Sequence, residues 1–324
     1  MLMGILIWVV GLGRSDVSHA TSYLSIFSAC PRGGHLVRAL RVFGFLKKRR
    51  NRRFMVDSRG PILRGGEGAL GKDFTKELGD LYPNAAEELD ANLPTPLVEE
   101  ISITVFVDSD HAQDKVTRWS ITGLITFLGR TPVFYLSKRQ VAIETSTYGA
   151  KLCAMKTGVE ETIAIRYMMR CLGVKVKIAS LLCGDNLGVI QNSTIKASLL
   201  KKKHVAISYQ NTHEAAASGI VHPIKTDGTI NYADVLTKSQ HLKTFLSITG
   251  SYFYRRWVRT SDKGSGVFME FSVIVPILTN YLGTVTNVSA VMDRGDPPQY
   301  LTAVSFIPES EIVLMFSTSI LTLI

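Results

Sequence analysis

Cysteine is scarce and poorly spaced for cross-linking. Cys30, Cys153, Cys171 and Cys183 are the only four in 324 residues. None forms a C-x-x-C pair, and no histidine lies near them at zinc-finger spacing. Neither a disulfide framework nor a structural zinc site is expected, and reduced thiols in an intracellular setting, cytoplasmic or nuclear, are. No secretory leader is expected either. Residues 1–13 are apolar, but no basic segment precedes them and residues 14–18 do not form a small-residue cleavage site. They read instead as a buried helix cut from a longer parent chain. Without a leader, the sequon Asn287-Val-Ser289 carries little weight. Long apolar runs are few. Residues 271–291 are uncharged but studded with Ser, Thr and Asn and interrupted by Pro276, and residues 312–324 are too short to span a bilayer. A membrane is therefore disfavoured as a partner, and a protein anchored by the tail after Ser251 is the least favoured reading.

What is present fits a folded protein. Hydrophobic residues make up 46% and charged residues 20% of a chain long enough for two domains. Lys and Arg outnumber Asp and Glu, 37 to 27, and the net charge of +10 favours a polyanionic partner.

Residues 1–57 read as helical, with two helices separated by Pro31, Gly33 and Gly34. The second runs into Lys47, Lys48, Arg49, Arg50, Asn51, Arg52 and Arg53. So dense a run reads equally as a solvated face or as a grip on a phosphate backbone, where counterion release rewards clustered charge. Residues 58–100 read as a linker with one short helix over 74–81.

A new pattern starts at Ile101. Residues 101–108 alternate and are β-branched, which predicts a strand ending on Asp108. Two more strands are expected over 120–128 and 131–136, turning at Gly129 and Arg130. From Thr147 the apolar period becomes helical, with Thr145 or Ser146 as cap and Gly173 at the C-terminal end. Residues 174–183 read as a fourth strand, also ending near an acid, Asp185. A basic helix over 199–218, a fifth strand over 219–225 and a last helix over 235–246 complete a mixed α/β sheet with helices packed on it.

Asp108 and Asp185 each follow an apolar strand, and such strands lying side by side would bring both carboxylates to one sheet edge. Asp234, at a helix start, could join them. Three carboxylates without Cys or His suit hard cations such as Mg²⁺ or Mn²⁺, and two such ions can support phosphodiester hydrolysis. The alternative stays open, because Asp after a strand commonly makes a turn or a helix cap.

Six short motifs add a family resemblance. They are Val107-Asp-Ser-Asp-His-Ala112, Arg118-Trp-Ser-Ile-Thr-Gly123, Leu136-Ser-Lys-Arg-Gln140, Gly184-Asp-Asn186, Lys203-His204 and Asp234-Val-Leu-Thr-Lys238. Their order resembles the ribonuclease H domain at the C-terminal end of copia-type retrotransposon polyproteins. Upstream, Gly4-Ile-Leu-Ile-Trp-Val-Val, Arg14-Ser-Asp16, Tyr23-Leu-Ser25 and residues 35–48 look like the last helices of the reverse transcriptase of those elements. The resemblance covers about residues 4–250, and nothing in 251–324 is recognisable. It implies a helical reverse-transcriptase tail over 1–57, a linker over 58–100, and a ribonuclease-H-like mixed five-stranded sheet with flanking helices over 101–250. The tail over 251–324 stays unassigned, as read-through or disorder. The polymerase's own Asp-Asp motif is absent, so polymerase activity is not expected.

The resemblance further implies cleavage of RNA in RNA–DNA hybrids, with two divalent ions, Mg²⁺ or Mn²⁺, held by four carboxylates. Asp108, Asp185 and Asp234 match three of them, with Asp110 a substitute for the first. The fourth should be a Glu in the first turn of the long helix, and that position is Lys151. Even at an effective dielectric of about 20, a like charge near 4 Å costs on the order of 4 kcal/mol. Lys151 can swing its long stem outward and escape part of that repulsion, but while protonated it cannot coordinate an ion. Glu144, Glu160 and Glu161 are poorly placed to replace the missing acid. At most one ion is expected to bind well, and hydrolysis is expected to be impaired. Lys201, Lys202 and Lys203, with Lys47, Lys48, Arg49 and Arg50, are the candidate contacts to hybrid phosphates. The leading reading is an impaired nuclease, the alternative a non-catalytic hybrid-binding remnant, and the expected partners are an RNA–DNA hybrid and the rest of the retroelement polymerase.

Overall fold

The computed structural model describes residues 1–57, 59, 74–114, 117–176, 179–196 and 206–253. The expectations for Lys201, Lys202, Lys203 and His204, and for the tail from residue 254 onward, lie outside these described residues.

The expected mixed sheet is present. Alternating β-branched residues form β2 (Ile103–Asp110), which pairs antiparallel with β3 (Ile121–Leu128). Gly129, at a φ of +60°, turns the chain within two residues into β4 (Thr131–Arg139). On its other edge β2 pairs in parallel with β6 (Ser180–Gly184), which pairs in parallel with β7 (Val221–Lys225). The five-stranded order is β4-β3-β2-β6-β7.

The long helix α5 (Thr147–Cys171) starts where the Ser146 side chain accepts the Gly149 amide at 3.2 Å, and it stops before Gly173, at a φ of +71°. The described part of the next expected helix is α7 (Ala206–Ala217), ended by Gly219 at a φ of +71°. With the short α4 (Phe74–Leu78), these helices cover the face where Ile103, Val105, Val107, Leu124 and Leu182 point. The opposite face carries Phe106, Ile125, Phe127, Cys183 and Ile224, under α8 (Asp234–Thr237) and α9 (Leu242–Thr249).

Several elements differ from expectation. Residues 174–183 are not one strand. β5 (Val174–Val176) finds its own parallel partner in β1 (Val98–Ile101), and only β6 joins the main sheet. The last helix divides because the chain becomes extended at Lys238. An unexpected helix, α6 (Leu187–Thr194), follows β6; the Asn186 side chain accepts the Val189 amide at 3.0 Å and caps it.

The N-terminal segment forms three helices, α1 (Leu2–Gly11), α2 (Ser18–Ser25) and α3 (Gly33–Lys48). α1 is not the buried helix expected. Leu6 is buried and the Val10 carbonyl accepts the Tyr135 hydroxyl, but Ile5, Ile7 and Trp8 are exposed, since the helix is apolar all round and docks one side only. No helix among the described residues is long and apolar enough to cross a membrane.

Residues 52–57 are stitched to the sheet. Arg52 donates to Asp16 at 3.2 Å and to Thr249 at 3.0 Å. The Met55 amide donates to the Tyr252 carbonyl at 2.9 Å, and the Asp57 amide to the Thr131 hydroxyl at 2.8 Å. Phe54 stacks on Phe253 and meets Tyr135 edge-on.

Candidate functional site

Parallel pairing sets the geometry of the acids. Phe106 lies opposite Cys183 in the β2–β6 ladder, and each strand reaches its Asp two residues later, so Asp108 and Asp185 emerge at one sheet edge. Asp234 arrives from the other face on α8. Gly123, opposite Asp108 on β3, lets α8 come close: a Cβ there would lie 2.6 Å from Thr237 Cγ2 and 2.8 Å from the Ala233 carbonyl oxygen. The Asn231 side chain donates to the Val107 carbonyl at 2.9 Å and fixes the approach. The three Asp residues named from the sequence are thus neighbours. Asp110, at the end of β2, is half-buried, and burial raises its carboxyl above the ordinary range.

Lys151 points into this cluster, not outward. Its ammonium donates to Asp108 Oδ1 at 2.9 Å and to Asp185 Oδ1. The attraction of the two carboxylates holds the ammonium inward. α5 also steers Lys151 onto its sheet-facing side, two turns before Gly158. A Cβ on Gly158 would approach Val107 Cγ1 to 2.7 Å and Leu182 Cδ1 to 2.8 Å. A second ammonium, that of Lys238, sits 3.0 Å from Asp234 Oδ2 and 3.6 Å from Asp108 Oδ2. The Thr237 hydroxyl donates to Asp108 Oδ2 at 2.6 Å.

Protonation follows from this balance. Burial would raise the Asp108 carboxyl, yet Lys151 and Lys238 hold it below the ordinary range. Three carboxylates share two ammonium groups, and the unbalanced charge falls on Asp234. Burial, then the charge of Asp108, pushes it up to about 7, and its Oδ1 is buried without a hydrogen-bond partner. Burial opposes the charge on Lys151 and on Lys238, but their carboxylate partners keep both above the ordinary lysine range.

These residues do not fit two divalent ions as they stand. Both Asp108 oxygens face ammonium or hydroxyl donors, and the Lys151 ammonium occupies the space between Asp108 and Asp185. Glu144 fills the space where a Cβ on Gly149 would sit, and Glu160 pairs with Lys156 at 2.8 Å. Among the described residues, no group of three or more His, Cys, Asp or Glu is disposed to hold a metal ion.

No family model matches the chain. It is 26% identical over 138 residues to the Retrovirus-related Pol polyprotein from transposon RE1 of Arabidopsis thaliana, covering 43% of this chain and 9% of that protein. The corresponding polyprotein from transposon RE2 of the same plant is 25% identical over 138 residues, with 43% and 10% covered. This chain is similar to a retrotransposon Pol polyprotein. It spans about a tenth of the length of these relatives. Among solved structures, RNase H1 from the archaeon Halobacterium salinarum aligns with a TM-score of 0.33 at 13% identity, covering 43% of this chain and 95% of that one. LC11-RNase H1 in complex with an RNA/DNA hybrid aligns with a TM-score of 0.34 at 11% identity, covering 42% and 94%.

The basic run that ends α3 and continues beyond it divides. Lys47, Lys48 and Arg50 are exposed, and the Arg49 guanidinium lies 5.6 Å from the Phe45 ring centroid. Arg52 points inward to Asp16, Thr249 and the Phe253 ring, so it is a structural residue. Sequence reasoning missed Lys238 and Thr237 as site residues. Their spacing of four and three from Asp234, at a helix start, was the available signal.

Proposed function

We propose that this chain is a retrotransposon-derived ribonuclease-H-like domain in which the family activity, two-metal hydrolysis of RNA in RNA–DNA hybrids, is impaired by Lys151. The observation that carries this reading is the Lys151 ammonium between Asp108 and Asp185. A protonated amine cannot coordinate an ion, and its positive charge opposes a divalent cation at the same carboxylates. In this reading Asp108, Asp185 and Asp234 descend from metal-binding catalytic residues, and Mg²⁺ or Mn²⁺ is the cofactor of any active form. The rest of a retroelement polymerase is a proposed partner, supported by the similarity to Pol polyproteins. An intracellular location, cytoplasmic or nuclear, belongs to the same proposal, supported by four cysteines that stand as thiols.

The test is cleavage of a labelled RNA–DNA hybrid by the full chain beside its Lys151→Glu variant, with Mg²⁺ and with Mn²⁺. The expected result is that the variant cuts and the wild type does not. Cleavage by the wild type at a comparable rate would sink the proposal.

A second reading, a non-catalytic hybrid-binding remnant, is supported by the net charge of +10 and by the exposed Lys47, Lys48 and Arg50. Replacing Lys47 and Lys48 by Glu is expected to weaken hybrid binding and flatten its salt dependence. Unchanged binding would remove these residues from the interface.

A further inference from the structure

We propose that Lys151 and Lys238 are built-in counter-ions that turn the Asp108, Asp185 and Asp234 cluster into a metal-independent ion-pair lock joining β2, β6, α5 and α8. This deepens the reading above and rests on the same site.

The geometry ties three elements, β2, α5 and α8, through one carboxylate, and a fourth, β6, through Lys151. Asp108, whose side chain is 0% exposed, receives the Lys151 ammonium from the first turn of α5 at 2.9 Å and the Thr237 hydroxyl from α8 at 2.6 Å. The Lys238 ammonium approaches from just beyond α8, at 3.6 Å. Lys151 extends the link to Asp185 after β6, and Lys238 extends it to Asp234 at 3.0 Å. Three acids brought together by this sheet and α8 would repel one another in the folded state if nothing neutralised them, and a fully buried carboxylate left alone costs most of all. A dissociable ion neutralises them only when its concentration exceeds its dissociation constant. An ammonium carried by the chain is always present. The two lysines differ in weight, because Lys151 is 14% exposed and Lys238 is 39% exposed. Lys151 therefore carries most of the lock.

Thermal melting of the full chain, in EDTA and in millimolar Mn²⁺ or Mg²⁺, tests this without reference to activity. The wild type is expected to melt at the same temperature in both. Lys151→Gln removes one counter-ion and should lower Tm in EDTA by about 5–10 °C, and Lys238→Gln by less. Lys151→Glu should fall further in EDTA and recover saturably with Mn²⁺. The lock is overturned if Mn²⁺ raises the wild-type Tm saturably, or if Lys151→Gln melts with the wild type in EDTA. Should Lys151→Glu fail to fold, direct titration of wild type with Mn²⁺ by electron paramagnetic resonance decides: no binding supports the lock, and binding abolished by Asp185→Asn overturns it. The two proposals fail separately. A wild type that cuts hybrid sinks the impaired nuclease, whereas one that is inert but stabilised by Mn²⁺ sinks only the lock.

Discussion

Replacing Glu87 by Gln should cost this protein a measurable share of its stability at neutral pH, and the cost should fade in acid. Glu87 lies in the stretch between α4 and β1 and is gripped by two arginines of α5. Its carboxylate accepts from Arg166 at 2.8 and 2.5 Å and from Arg170 at 2.6 and 2.7 Å. The Arg166 side chain is 1% exposed and also donates to the Ser180 hydroxyl at 3.0 Å, at the start of β6. Burial would raise the Glu87 carboxyl, but the hydrogen bonds and charge of Arg166 and Arg170 outweigh it and hold the group at about 2 instead of 4.5. At about 1.4 kcal/mol per pH unit that gap corresponds to about 3 kcal/mol. Because the Glu87 side chain is 17% exposed, solvent screening trims this to about 2 kcal/mol, or a fall in Tm of about 4–8 °C. The folded-state carboxyl titrates below its unfolded value. Its stabilisation is therefore complete above pH 4.5 and is lost as the pH falls towards about 2. Melting of the full chain by circular dichroism, wild type beside Glu87→Gln from pH 7 down to pH 3, should show a gap that closes with acidity. A gap that stays constant, or no gap at pH 7, would refute the reasoning.

Three other perturbations test other parts of the structure. Gly123→Val should force α8 off β3 and destabilise the fold by about 1–3 kcal/mol through overpacking, seen as a lower denaturation midpoint; an unchanged midpoint would mean α8 does not pack as closely as described. Arg52→Met leaves the fully buried Asp16 side chain with Arg14 as its remaining arginine partner. It should loosen the N-terminal helices, so limited proteolysis should cut the segment before residue 57 faster than in the wild type, and equal rates would count against the docking role. Native thiol labelling should modify exposed Cys30 rapidly and leave Cys183 untouched until unfolding, since complete burial pushes the Cys183 thiol far up; rapid Cys183 labelling would contradict its place in the core.

Much of the central sheet was legible, because β2 and β3 carry β-branched alternation and Gly129 marks their hairpin partner. The convergence of Asp108 and Asp185 was legible too, since each follows an apolar strand. β1 was hidden by Glu99 and Glu100, charges that depress strand propensity. The eight residues of α6 are too few to show a clear period, although Asn186 was its cap in plain view. The direction of Lys151 was not legible, because its long stem can turn inward or outward. A residue's preferred rotamer depends on which charges stand opposite, and the sequence names the acids without saying whether an ion or an amine neutralises them.

The pairing of Phe54 with Phe253 has a consequence for how the molecule could be divided. These two residues belong to segments nearly 200 positions apart that share one aromatic layer with Tyr135, Tyr252 and Phe127. Cleaving the backbone between Arg59 and Phe74 would sever the chain without parting that layer. The two fragments should co-elute as a nicked complex and separate only in denaturant, and the excised 101–250 piece would lack the Phe54, Tyr252 and Phe253 rings that close this side of the sheet.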